Sequence, residues 1–290
     1  MSNIIQVKNV SFGYTQQRTI LEDISFDVKP GTFLAIAGPN GAGKTTLLNL
    51  LCGLLRPQAG SIIIDTAQIE SYSVRKLAQK VATVRQEFVP VFDFTVAEVV
   101  SMARTPYLGT FGFDGKKDTD AVNEALEATD TAWFALRPLS SLSAGERQRV
   151  FIARALAQNT AIMLLDEPTS FLDLKHQVHI YDLLKAAQLE KGKTIVAITH
   201  DINLAAQYCD EILLLTGRDP HMQSPENGTQ TCPSYLIGRA KDIFSPEQIE
   251  EVFGVRVFAG KVGKENFFIP LGKFAKDGKQ VNDLQNRCQQ

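Results

Sequence analysis

The chain has few cysteines, almost no net charge and no long apolar run, and each shortage removes a class of protein. Its four cysteines, Cys52, Cys209, Cys232 and Cys288, lie far apart in 290 residues and form no C-x-x-C pair. A disulfide framework or a zinc site calls for denser spacing, so the expectation is reduced thiols in a cytosolic protein. The formal net charge is -2. Broad nucleic-acid binding usually shows as a basic excess, which is missing here. No uninterrupted apolar stretch approaches the roughly 18–20 residues that a membrane-spanning helix requires. The first residues show no basic region followed by an apolar one, so no secretory leader is expected. Action at a membrane would therefore go through a partner. What remains is an ordinary composition, 44% hydrophobic, which suffices for a sizeable core.

One stretch organises the rest: Gly38-Pro-Asn-Gly-Ala-Gly-Lys-Thr-Thr46. It fits G-x-x-x-x-G-K-[ST]. The run Thr32–Ala37 before it reads as a short buried strand, and Leu47–Leu51 after it as the first turns of a helix. Strand, glycine loop and helix are the context this motif needs. Glycines let the backbone approach phosphates closely and turn N–H groups toward them, and the helix N-terminus adds its positive end. Lys44 would reach the β- and γ-phosphates, and Thr45 would ligate Mg²⁺. A bound nucleoside triphosphate is therefore expected.

Before this loop, residues 4–10 and 20–28 alternate apolar and polar, as antiparallel strands do. Tyr14 lies between them and reads two ways: a ring stacked on a purine, or a tyrosine that packs the strands. After the loop come a strand at Ser61–Asp65, a short helix at Val74–Gln79 and a strand at Val81–Arg85 that delivers Gln86 to a sheet edge. Residues 88–141 then carry eight aromatics and two helical patterns, Val96–Arg104 and Lys117–Thr129. They read as an inserted helical subdomain whose aromatics either line a groove for a partner's helix or fill the subdomain's own core.

Leu142-Ser-Ala-Gly-Glu-Arg-Gln-Arg149 opens an amphipathic helix. Ser143 and Glu146 have capping-box spacing, and small residues at a helix start also suit an anion. Ala161–Leu165 is a buried strand ending in Asp166-Glu167-Pro168. Two carboxylates there are costly unless a cation neutralises them. Asp166 suits Mg²⁺ through water, and Glu167 suits polarising an attacking water. Thr194–Ile198 delivers His200 to the same edge, where it could hold a γ-phosphate or simply be structural. Glu211–Leu215 reads as the last strand of this sheet. His176 and His179 share a helix with no third ligand evident, so they read as surface or partner-facing residues rather than metal ligands. Residues 217–234 are rich in Pro, Gly, Ser, Asn and Thr and read as a loop. Ser245–Phe253 is a helix with Pro in its first turn and Gly254 at its end, and two short strands follow at 255–258 and 266–269. Beyond Lys276 the chain is polar and is expected to be disordered.

Taken in order, Tyr14, Gly38–Thr46, Gln86, Leu142–Gln148, Ile162–Glu167, Asp173 and His200 resemble the ATP-binding subunit of an ABC transporter, over about residues 4–258. The resemblance implies an α/β P-loop NTPase core with an antiparallel β subdomain and an inserted helical subdomain. It implies an ATP-binding domain at 1–240 (helical insertion at about 88–142), a small C-terminal extension at 241–275 and a tail at 276–290. It implies ATP and Mg²⁺ as cofactors. Tyr14 would stack the adenine, and Gly38, Asn40, Gly41, Ala42, Gly43, Lys44, Thr45 and Thr46 would hold phosphate. Thr45, Gln86 and Asp166 would serve Mg²⁺. Glu167 would be the general base, His200 would contact the γ-phosphate, and Lys44 and Gln86 complete the catalytic set.

The resemblance also places Ser143 and Gly145 on ATP bound to a second copy, with Asp173 at the dimer interface. It implies integral membrane permease subunits as partners, a substrate-binding protein indirectly, and no nucleic acid. The location implied is the cytoplasmic face of the cell (inner) membrane, held peripherally. One position departs from the pattern: Ala144 stands where the family usually has glycine. Its N–H survives for an anion if the local φ is negative, but its methyl crowds the approach. Three stretches, Thr95–Pro106, Thr169–Gln177 and Ile249–Val255, resemble importers of iron chelates, heme and vitamin B12. The competing readings are an exporter subunit and a soluble ABC-type ATPase acting on DNA or ribosomes. The latter wants a long coiled-coil insertion, zinc cysteines, a basic surface or a second cassette, and the sequence has none of them.

Overall fold

The computed structural model describes residues 2–15, 18–85, 93–109, 115–217, 234–263 and 265–272. Gln86, the aromatics Phe88, Phe92, Phe111 and Phe113, most of the 217–234 loop and the expected tail at 276–290 lie outside the described residues.

The two alternating runs form β1 (Ile5–Phe12) and β2 (Leu21–Val28), paired antiparallel with every core-facing position buried. β3 (Phe33–Ala37) is buried at all five residues, as a strand covered on both faces must be. The glycine loop turns from β3 into α1 (Lys44–Leu51). β4 (Ala59–Ile64) returns to pair with β1, and β5 (Ala67–Gln68) completes a four-stranded sheet in the order β2-β1-β4-β5. α2 (Val74–Ala78), capped by the Ser73 hydroxyl, leads into β6 (Val81–Val84).

A helical layer follows: α3 (Val96–Ser101), α4 (Lys116–Ala128) and α5 (Ala144–Ala157). Thr95 with Glu98 and Ser143 with Glu146 close complete capping boxes at the starts of α3 and α5. Then β7 (Ile162–Asp166), α6 (Leu174–Lys191), β8 (Thr194–Ile198), α7 (Ile202–Tyr208) and β9 (Glu211–Leu215) alternate strand and helix. Their strands join β3 and β6 in parallel. The resulting six-stranded order is β10-β9-β3-β8-β7-β6.

The edge strand corrects the sequence reading. Glu211–Leu215 is not the last strand of the sheet, because β10 (Tyr235–Gly238) pairs antiparallel with β9. Four residues, one of them glycine, carry too little alternation to signal a strand, and the pairing is supplied by the open edge of β9. After β10 come α8 (Ala240–Ile243), α9 (Pro246–Phe253) and the hairpin β11 (Val257–Val262) with β12 (Glu265–Pro270). Ser245 caps α9, Pro246 opens it and left-handed Gly254 ends it, as read from the sequence.

The parallel sheet separates two cores, and β3 serves both by period two. Phe33, Ala35 and Ala37 face the helical layer, while Leu34 and Ile36 face α1 and the antiparallel sheet. The aromatics of the insertion divide. Phe134 is fully buried in the helical layer, whereas Trp133 is exposed with the Arg137 guanidinium 4.7 Å from its ring centroid. The insertion is fastened to α5 by Arg104, which pairs with Asp118 of α4 at 2.7 Å and donates to the carbonyls of Ala157 and Gln158.

A single side chain also ties the two sheets. The Tyr235 hydroxyl donates to the Ser25 carbonyl at 2.7 Å and accepts from the Ser25 N–H at 3.1 Å. Tyr235→Phe removes both bonds and leaves two backbone groups of β2 without that partner. The expected cost is about 1–3 kcal/mol, read as a lower denaturant midpoint with an unchanged slope; an unchanged midpoint would remove this tie.

Candidate active site

The chemistry-bearing residues gather because parallel strands end on one edge. β3 ends at the glycine loop, β7 at Asp166 and β8 just before His200. The loop needs glycine for steric reasons. At Gly38 (φ 145°) an added Cβ would lie 2.3 Å from the Leu215 carbonyl oxygen, and at Gly43 (φ 91°) 2.8 Å from the Leu21 side chain. Gly43 is also the N-cap of α1 and offers no side chain to cap it. The first N–H groups of α1 have no intrahelical acceptor by position, so they are left to an anion.

Within the loop Lys44 is only 7% exposed, and its Nζ donates to the carbonyls of Gly38 at 2.9 Å and Pro39 at 2.8 Å. Burial pushes its pKa below the ordinary lysine value, opposed by the Glu167 and Asp166 carboxylates. The Thr45 hydroxyl lies 3.5 Å from Asp166 Oδ1. Burial pushes the Asp166 carboxyl above the ordinary range, and the neighbouring Glu167 charge pushes the same way. The Thr45 hydrogen bond and the charges of Lys44 and Arg85 oppose that rise.

Glu167 sits in left-handed backbone geometry at φ 50°, a strained conformation of the kind that clusters at functional sites. Its Oε1 lies 2.7 Å from His200 Nε2, and its Oε2 accepts from the Ser170 hydroxyl at 2.8 Å. The Tyr14 ring stands edge-on to Phe12 but is 62% exposed, and its hydroxyl lies 3.3 Å from the Thr46 hydroxyl. It is therefore a surface ring beside the glycine loop rather than a packed core tyrosine.

Ser143 caps α5, and Gly145 lies in its first turn. The Ser143 hydroxyl accepts from Glu146 N at 3.2 Å, and Glu146 Oε2 accepts from Ser143 N at 2.8 Å. The nearest neighbours of Gly145 are Phe171 and Leu172. Ala144 is the first residue of α5 and is absent from the positive-φ residues, so its N–H has the helical orientation that an anion contact requires. His176 and His179 both lie on α6; His176 pairs with Asp173, and His179 lies 3.2 Å from the Ala128 carbonyl. Asp173 is the N-cap of α6, accepting from His176 N.

Two residues of this site went unassigned in the sequence. Ser170 braces the Glu167 carboxylate, and its only signal was a hydroxyl three residues downstream. Gln148 is 3% exposed, and its Nε2 donates to the carbonyls of Glu167 at 3.4 Å and Pro168 at 3.1 Å. An amide on the face of α5 that continues as Ile152 and Ala155 was the readable signal.

An uncapped helix start behind a glycine loop, a buried lysine, and a carboxylate pair on the next strand but one define a P-loop nucleotide-binding fold of the cassette type. A profile of the ABC transporter family matches residues 21–170. The ferric enterobactin transport ATP-binding protein FepC of Escherichia coli is 35% identical over 92% of this chain and 94% of its own length. The hemin import ATP-binding protein HmuV of Pseudomonas aeruginosa is 37% identical over 88% of this chain and 94% of its own. The cobalamin import ATP-binding protein BtuD of Halobacterium salinarum is 37% identical, but this chain spans only 56% of that protein's length. Among solved structures, an inward-facing metal-chelate type ABC transporter superposes with a TM-score of 0.76 at 30% identity, covering 94% of this chain and 99% of that one. The chain belongs to the ABC transporter family, as one of its ATP-binding cassettes.

The side chains present fit a magnesium-bound nucleotide. Open N–H groups and Lys44 match phosphate, and the hydroxyl of Thr45 with the carboxylate of Asp166 supplies the hard oxygen donors that magnesium takes. A carboxyl whose folded-state pKa is raised favours the fold below its unfolded pKa and loses that contribution as pH rises through the folded value. Asp166 therefore opposes folding at neutral pH when no cation is bound. Asp166→Asn is expected to leave the melting temperature of the nucleotide-free protein equal or higher, while abolishing the further rise that Mg·ATP gives the parent protein. A lower melting temperature for the free variant, or an intact Mg·ATP response, would contradict this assignment. Lys44→Ala is expected to weaken ATP binding or stop hydrolysis, measured by titration with a fluorescent ATP analogue and by phosphate release; normal turnover would overturn the phosphate cradle.

Proposed function

We propose that the chain is the ATP-hydrolysing subunit that energises an ABC importer, with cargo of the iron-siderophore, heme or cobalamin type. The observation that carries this reading is a conjunction. Glycine loop, Asp166–Glu167 and His200 share one sheet edge, in a chain that aligns nearly end to end with the ferric enterobactin and hemin ATP-binding proteins. The cargo class comes from those relatives' names and from the Thr95–Pro106, Thr169–Gln177 and Ile249–Val255 stretches.

In this reading Tyr14 stacks the adenine, a role suited to its exposed ring. Gly38, Asn40, Gly41, Ala42, Gly43, Lys44, Thr45 and Thr46 hold the phosphates. Thr45 and Asp166, with Gln86, hold Mg²⁺, which when bound neutralises phosphate charge. Glu167 takes the proton of the attacking water. His200 orients the Glu167 carboxylate and contacts the terminal phosphate. Ser143 and Gly145 reach the ATP of a second copy, as the resemblance to the cassette family implies. Closure of two such copies around two ATP molecules would drive permease subunits, and through them a substrate-binding protein, with no nucleic acid involved.

The domain division follows the same reading. Residues 1–240 form the cassette, including β10 on the core sheet, and residues 241–275 a small extension built from α8, α9 and the final hairpin. Among the described residues no helix is long and apolar enough to cross a membrane. This suits a peripheral position on the cytoplasmic face, held by the permease.

Two measurements test the reading. Glu167→Gln removes the base at constant shape, so hydrolysis is expected to fall about 10²–10⁴-fold while ATP binding persists and the variant accumulates as an ATP-bound dimer in size-exclusion chromatography. An unchanged rate would remove Glu167 as the base. Tagged protein recovered from detergent-solubilised source membranes is expected to bring down a polytopic permease. Recovery of ribosomal or DNA-bound proteins instead would replace the importer reading with that of a soluble ATPase.

A further inference from the structure

The two ends of the proposed chemistry touch inside one chain. α5 starts at Ser143, whose turn would serve the partner copy's ATP, and one turn later the same helix presents Gln148. The Gln148 side-chain N–H donates to the backbone carbonyls of Glu167 and Pro168, the first of which belongs to a peptide unit flanking the Glu167 Cα. Nearer the helix start, an added Cβ at Gly145 would lie 3.1 Å from the Phe171 carbonyl oxygen. The segment 167–171 is therefore laid directly along the first turns of α5.

That segment is unusual in its backbone. Glu167 and Phe171 both hold positive φ, at 50° and 67°, conformations that non-glycine residues keep only where the surroundings over-determine them. Ser170 N closes onto the Glu167 carbonyl at 3.1 Å, and the Ser170 hydroxyl holds Glu167 Oε2. Gln148 holds the carbonyl side of this strained turn, and it is buried, so solvent does not substitute readily for its two bonds.

We propose that Gln148 is a positioning residue that couples the two ATP sites: it transmits the seating of α5 on the partner copy's nucleotide to the aim of Glu167 at the chain's own nucleotide. This rests on the two-copy reading above. Gln148 is assigned no contact with the reacting atoms. It acts by fixing the Glu167–Pro168 carbonyls to α5, so the base comes into line when the opposite site fills.

The test uses Gln148→Met, which keeps the length and loses the donor, and Gln148→Glu, which keeps the shape and replaces the N–H donor with an acceptor. Steady-state hydrolysis is measured against ATP concentration, with ATP affinity measured separately by titration. For both variants kcat is expected to fall about tenfold or more, with KM and the ATP dissociation constant within about twofold. The Hill coefficient is expected to fall toward one. A structural defect would instead lower the melting temperature and ATP affinity together. Should Gln148→Met not fold, Gln148→Glu carries the same prediction.

Gln148→Met is also placed on the Glu167→Gln background. That double variant is expected to keep the ATP-bound dimer and show no further loss of residual hydrolysis. Wild-type kcat and Hill coefficient in both single variants would overturn the coupling while leaving the two-copy reading intact. Failure of Glu167→Gln alone to dimerise with ATP would overturn the two-copy reading, and the coupling with it.

Discussion

A pair of carboxylates held at one edge of a parallel sheet is the constraint from which the rest of this molecule follows. Asp166 ends β7, a strand buried at every residue, and Glu167 follows it directly. One buried lysine offsets them, and burial weakens that lysine as a cation. Asp166 is itself pushed toward protonation. Such an arrangement would be stabilised by a divalent cation and an anion to accompany it, and the start of α1 has no side-chain cap to compete for the anion's donors. These features support the proposal that the site receives a metal–phosphate pair.

The scaffold is arranged to hold that imbalance. The antiparallel sheet and α1 close one face of the parallel sheet, and the helical layer closes the other. Arg104 joins three pieces of that layer through Asp118 and the end of α5. α5 does more than pack. Its capping box fixes Ser143 and Glu146 at one end of the turn, and one turn on Gln148 grips the Glu167 peptide. In the proposed two-copy arrangement, the helix that serves one nucleotide through its N-terminus would thereby carry the mechanical reference for the base at another.

Much of this was legible in the sequence, and the reasons differ by element. β3, β7 and β8 were readable because strands covered on both faces are continuous apolar runs. The starts of α5 and α9 were readable because capping is a local matter of Ser143, Ser245 and their partners, whereas the Thr95 cap of α3 came only with the structure. The glycine loop was readable from spacing, and the structure adds why Gly38 and Gly43 tolerate no side chain. β10 was not readable, because its pairing is decided by the edge of β9 and by the Tyr235 bonds to Ser25. Ser170 and Gln148 escaped for the same kind of reason: their partners are backbone and carboxylate atoms that only the fold brings near. Trp133 and Phe134, adjacent in sequence, go to opposite environments, which composition could not separate.

The central claim is that this sheet edge is a magnesium–nucleotide receptor. It is tested most directly by equilibrium titration of the purified chain with ATP, in the presence of Mg²⁺ and then with the metal chelated. One ATP per chain is expected, with an affinity in the range of about 1 μM to 1 mM typical of such substrates, and phosphate release that stops on chelation. Absence of ATP binding throughout that range, or hydrolysis indifferent to chelation, would contradict the account.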